Sequence, residues 1–117
     1  MKFENKLNEI ISNQLMEYRN YKSYKDSDCV YGCEFKCSKL ILDKLIILKR
    51  ELNSIKKYNP NNFLNSMKNT IKDELKEYKE YINKPSDNCN GSNDDCKYIR
   101  YTTELISLRN IILRNKQ

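Results

Sequence analysis

Apolar residues recur at three and four positions through four stretches of this chain, and that spacing restricts its fold more than any other feature. The first stretch carries Phe3, Leu7, Ile10/Ile11, Leu15, Tyr18 and Tyr21. Cys33, Cys37, Leu40/Ile41, Leu45, Leu48, Leu52 and Ile55 continue on a second stripe. The third runs Phe63/Leu64, Met67, Ile71, Leu75, Tyr78 and Ile82, and the fourth Ile99, Leu105/Ile106, Leu108 and Ile112/Leu113. Each stripe is one face of an α-helix. Only two glycines and two prolines interrupt 117 residues, and no strand-like alternation appears. The chain is expected to be all-α.

The helix boundaries fit this pattern. Asp28 is placed to N-cap the second helix, since its carboxylate accepts from first-turn amides. That helix should run for about 30 residues, roughly 45 Å. "NPNN" at 59–62 separates two halves, with Pro60 tolerable only near a helix start. Pro85 is expected to stop the third helix, and "SDNCNGSNDD" at 86–95 reads as a polar loop. Ser92 with Asp95 resembles a capping box at the start of the fourth, with Asp in place of Glu.

Shifting residues 61–117 onto 1–57 gives 12 identities, from Phe3/Phe63 and Ile11/Ile71 through Tyr18/Tyr78 and Cys29/Cys89 to Leu45/Leu105 and Lys56/Lys116. This composition would give roughly five by chance. The expected architecture is one domain, 1–117: a four-helix up-down-up-down bundle built from two duplicated helical hairpins, 1–57 and 61–117. In that topology the first and third connections share one pole, and all five cysteines fall in or beside them.

Those cysteines are Cys29, Cys33, Cys37, Cys89 and Cys96, and the chain has no histidine. Three readings stay open. Zinc needs four ligands, and Cys29/Cys33 or Cys33/Cys37 at i, i+4 with Cys89/Cys96 would supply two pairs, the last wider than the usual chelate. Disulfides would clamp each hairpin, as Cys29–Cys37 or Cys89–Cys96, leaving Cys33 as a buried thiol. Alternatively, Cys33 and Cys37 are small core residues and the loop cysteines are incidental.

"EYRNYKSYK" at 17–25 and "KEYKEYINK" at 76–84 interleave tyrosines with basic residues. Arg19, Lys22, Lys25, Lys79 and Lys84 are thus candidates for a nucleic-acid surface, with bases stacking on the rings. The competing account is packing, because Tyr18, Tyr21, Tyr78 and Tyr81 obey the helical period. Net charge is +6, with 12 basic against 8 acidic residues through Tyr58 and 10 against 8 after it. Such spread-out charge permits only loose attraction to nucleic acid. A basic final turn, "IILRNKQ", suits a helix C-terminus.

Catalysis has little to work with: no histidine, no glycine-rich phosphate loop and no nucleophile elbow. The N-terminal stretch has no secretory pattern, and "LILDKLIIL" at 40–48 is too short and too charged to span a bilayer. A cytoplasmic location follows as the expectation, with the cysteine content keeping an oxidised particle or compartment open. Abundant Lys, Asn, Ile and Tyr suggest an AT-rich coding genome. The expected function is a non-catalytic structural or interaction module with a protein partner or a second copy of itself, needing no cofactor. The alternatives are weak nucleic-acid binding and a cysteine-based module that binds zinc or senses redox state.

Overall fold

The computed structural model describes residues 2–27, 30–84 and 95–114 and is all-helical there. Four helices pack as a bundle: α1 (Lys2–Tyr21), α2 (Val30–Tyr58), α3 (Phe63–Glu77) and α4 (Cys96–Arg114). Short 3-10 turns, Lys22–Tyr24 and Lys79–Tyr81, follow α1 and α3. The molecule measures 46 × 27 × 19 Å. Its long axis matches α2, whose 29 residues rise about 44 Å at 1.5 Å each.

α2 and α4 each pack on all three other helices, while α1 and α3 each pack on both of them. The Lys56 ammonium donates to both carboxylate oxygens of Glu4 at 3.1 Å, so the end of α2 lies beside the start of α1. At the other end Tyr18 stacks on Phe35 with ring centroids 5.2 Å apart. Arg100 reaches Glu34 and Glu17, bringing the start of α4 to that same end.

The expected stripes form most of the core. Phe3, Leu7 and Ile10 meet Ile41, Leu45, Leu48 and Leu52 of α2, Met67, Ile71 and Leu75 of α3, and Leu105, Leu108 and Ile112 of α4. Three details depart from the sequence reading. Leu113 is exposed, because the single face of α4 that reaches the core is filled by Leu105, Leu108 and Ile112. Tyr101, Phe35 and Leu42 are buried although they lay outside the stripes. The α-helix of the third stretch ends at Glu77, not at Pro85. Tyr78 leaves helical geometry at φ −106°, and the 3-10 turn that follows tightens the backbone so that Tyr78 and Tyr81 both face Tyr98 on α4.

Pro60 lies in the turn just before α3, as its missing N–H requires. The carbonyl of Asp95 accepts from the amides of Tyr98 and Ile99 at 3.0 Å, opening α4. Asp28, Pro85 and Ser92 lie outside the described residues. Gly32 has a distinct role in the first turns of α2. A Cβ there would collide with the Ser27 carbonyl oxygen and sit 3.0 Å from the Tyr24 oxygen, so only glycine lets the connection from α1 fold this closely over α2.

Candidate thiol site at the start of α2 and α4

Cys33 and Cys37 stand one turn apart near the start of α2, on one face of the helix. Cys96 is the first residue of α4. Its Sγ lies 2.9 Å from that of Cys33 and 3.2 Å from that of Cys37. All three sulfurs fall within 4.8 Å of one another. Cys37 and Cys96 are buried and Cys33 is half-buried, and the trio is a cluster separate from the main core. One of the three residues is therefore partly exposed while two are buried.

Two sets of contacts seat the start of α4. Arg100, one turn further along α4, donates to Glu34 at 2.7 Å and to Glu17 at 3.3 Å, tying the start of α4 to α2 and α1. Tyr98 stacks on Tyr78 and meets Tyr81 at a tilt, with centroids 5.6 and 5.3 Å apart, tying it to the end of α3 and the turn after it. Around the start of α2, Tyr31 contacts Tyr21 and Tyr24 at 5.7 and 4.9 Å. Tyrosines of the two tyrosine-rich segments thus make ring contacts with Tyr31 near the start of α2 and Tyr98 near the start of α4, with Tyr24 and Tyr31 remaining exposed.

Neighbouring polar groups carry perturbed protonation equilibria. Burial, reinforced by the Glu74 carboxylate that accepts its hydroxyl proton at 3.2 Å, raises the Tyr101 pKa far above the ordinary value. Burial also raises Glu104, against the attraction of Lys6 and Arg100 and with the repulsion of Glu17 and Glu9. A hydrogen bond with Tyr78 holds Lys44 above its ordinary value.

The structure brings together three of the five candidate cysteines; Cys29 and Cys89 lie outside the described residues. The expected clamps, Cys29–Cys37 and Cys89–Cys96, each include a residue outside the described ones. Among the described residues, the sulfur neighbours of Cys96 are Cys33 and Cys37 of the other half of the chain, at distances longer than a disulfide. The facing of α2 and α4 brings them together. Cys33, expected to be the buried odd one, is half-buried and belongs to the trio. Arg19, Lys22, Lys25, Lys79 and Lys84 are all exposed, Lys84 lying 3.8 Å from Asp95 and 5.0 Å from the Tyr81 ring centre. Sequence reasoning missed Arg100, Glu34, Tyr31 and Tyr98. The available signal was Arg100 at i+4 from Cys96, which places both on one face of α4.

The sulfur spacing limits the chemistry. A disulfide needs about 2.05 Å between sulfurs. A zinc ion with sulfur at about 2.3 Å in a tetrahedron needs them about 3.8 Å apart. The observed 2.9 and 3.2 Å lie between these values: Cys33–Cys96 is within about 1 Å of the disulfide length, and both separations are within about 1 Å of the zinc spacing. No protein-family model, curated protein or solved structure matches the chain.

Proposed function

We propose that this protein is a non-catalytic helical module whose pole is organised by a soft metal ion held by Cys33, Cys37 and Cys96, and which acts through contacts with a protein partner. The convergence of three thiols from two helices carries this reading. Thiolates select zinc and similar ions, and three of them leave one tetrahedral position for water or another donor. Cys96 opens α4, where the partial positive charge of a helix start suits an anionic ligand. Large exposed apolar side chains, Met16, Ile47 and Leu113, favour protein contacts as the outward activity. A diffuse basic surface engaging nucleic acid ranks lower, because rings of the interleaved segments, Tyr21, Tyr24 and Tyr81, are engaged by Tyr31 and Tyr98.

The reading also takes the chain as an up-down-up-down bundle of two related hairpins. Burial supports it: Ile41, Leu42, Leu45, Leu48 and Leu52 on α2 and Tyr101, Thr102, Leu105, Leu108 and Ile112 on α4 are all buried at an offset of sixty residues.

Cobalt titration of the fully reduced chain tests the metal site. One equivalent should give thiolate-to-cobalt charge-transfer absorption and tetrahedral visible bands, bleached by zinc. Cys96→Ser should abolish the sharp endpoint. A reduced wild-type chain that binds no cobalt or zinc at micromolar concentration would overturn the proposal.

A further inference from the structure

We propose that the thiol trio is also an oxidation site, at which Cys33 and Cys96 are converted to a disulfide that joins α2 to α4 and excludes the metal. The second half of this statement rests on the metal reading; the crosslink does not. Two observations select the pair. Cys33 and Cys96 have the shorter of the two measured separations, 2.9 against 3.2 Å. Cys33 is also the one residue of the trio that is not buried, so a small oxidant reaches it first.

With hydrogen peroxide as oxidant, the Cys33 thiolate attacks one peroxide oxygen. The O–O bond breaks, and the departing hydroxide takes a proton to become water. The resulting sulfenic acid is attacked by the Cys96 thiolate, forming the S–S bond and breaking the S–O bond, and a second water leaves. Two thiols have then given two electrons to the peroxide, with both protons accounted for in the waters. Cys37, fully buried beneath the pair, stays a thiol. One remaining sulfur of three no longer holds a metal ion, so oxidation releases it.

The bond would close a link between residues 63 apart. Because the Arg100–Glu34 ion pair already holds the start of α4 on α2, it forms without repacking of the helices. The half-exposed sulfur is the sensor and the buried one resolves it.

The test treats reduced, metal-free full-length protein with about one equivalent of hydrogen peroxide, followed by alkylation and non-reducing peptide mapping. The expected product is a single crosslinked peptide pair containing Cys33 and Cys96, with Cys37 alkylated. Cys33→Ser should slow peroxide consumption about tenfold, since both remaining members of the trio are buried. Mapping of the wild type stands by itself if a variant fails to fold. Sulfinic acid without a crosslink, a dominant Cys37–Cys96 bond, or bonds made through Cys29 or Cys89 that leave Cys33 and Cys96 as thiols would each overturn the proposal. A parallel sample loaded with zinc reports the metal half: peroxide should release zinc in step with crosslinking. Crosslinking in a protein that never bound zinc would refute the metal reading alone.

Discussion

Gly32 shows how one missing Cβ sets local geometry. Glycine inside a helix ordinarily costs about 1 kcal/mol relative to alanine, so Gly32→Ala in isolation should stabilise α2. The added methyl, however, meets backbone atoms, the Ser27 carbonyl and the Tyr24 oxygen, which cannot rotate aside like a flexible side chain. Overpacking of this kind costs about 1–3 kcal/mol. The clash should win, and Gly32→Ala is expected to lower stability by about 1–2 kcal/mol in urea unfolding. Its effect should extend to the thiols, because Cys33 is the next residue and its sulfur position depends on how the preceding connection is seated. Unchanged stability together with unchanged cobalt binding would show that the connection lifts off freely. Tyr101 is the contrasting case at this scale. It is almost wholly buried, yet its hydroxyl has a carboxylate acceptor in Glu74, so a polar tip is accommodated inside the core.

Between elements, the seam of α4 with α1 contains a carboxylate out of equilibrium with its surroundings. Burial raises Glu104, with Lys6 and Arg100 pulling its pKa back and Glu17 and Glu9 pushing it further up. The folded state therefore keeps this proton to higher pH than the unfolded chain, where the ordinary value is 4.5. Above that value the folded state loses stability as pH rises through its own higher pKa. Glu104→Gln should then melt higher than wild type at pH 7, with the advantage fading below about pH 4.5. An equal advantage at both pH values would place its origin in packing. The helices of these seams were legible in the sequence, because periodicity depends only on each helix's own face. Leu45, Leu105 and Ile71 were assigned to the core by spacing and are buried. What escaped was what one face chooses on another. Arg100 bridging Glu34 and Glu17, and Cys96 meeting Cys33 and Cys37, depend on the relative rotation of α4 and α2. Spacing within one helix carries no record of that rotation, so the meeting of Cys96 with Cys33 and Cys37 across the two halves of the chain was not readable from it. Tyr101 escaped for a related reason, its burial resting on an acceptor supplied by α3.

At the scale of the whole molecule, stability is unevenly distributed. Only 38% of the residues are hydrophobic, against roughly 45–50% in ordinary globular domains. The buried apolar cluster runs from Phe3 and Leu52 at one end to Ile41 and Tyr101, and the cysteines form a separate small cluster beyond it. Ion pairs of Arg100 with Glu17 and Glu34, one of Lys84 with Asp95, and ring contacts of Tyr98 hold that end, and partly exposed ion pairs contribute little. A ligand that binds only the folded arrangement would therefore stabilise the molecule where it is weakest. Binding at about 100 times the dissociation constant adds about 2.7 kcal/mol. For a domain of this size each kcal/mol moves the melting temperature by about 4 °C, so saturating zinc should raise it by roughly 10 °C. In Cys96→Ser the metal-free protein should melt within a few degrees of metal-free wild type, since serine replaces a small buried group at the rim, but the zinc-dependent rise should vanish. Calorimetry of both proteins with zinc and with chelator separates the possibilities. A rise of equal size in both would assign the metal to other residues. No rise in either would leave the trio as a packed thiol cluster, whose chemistry is then oxidation alone.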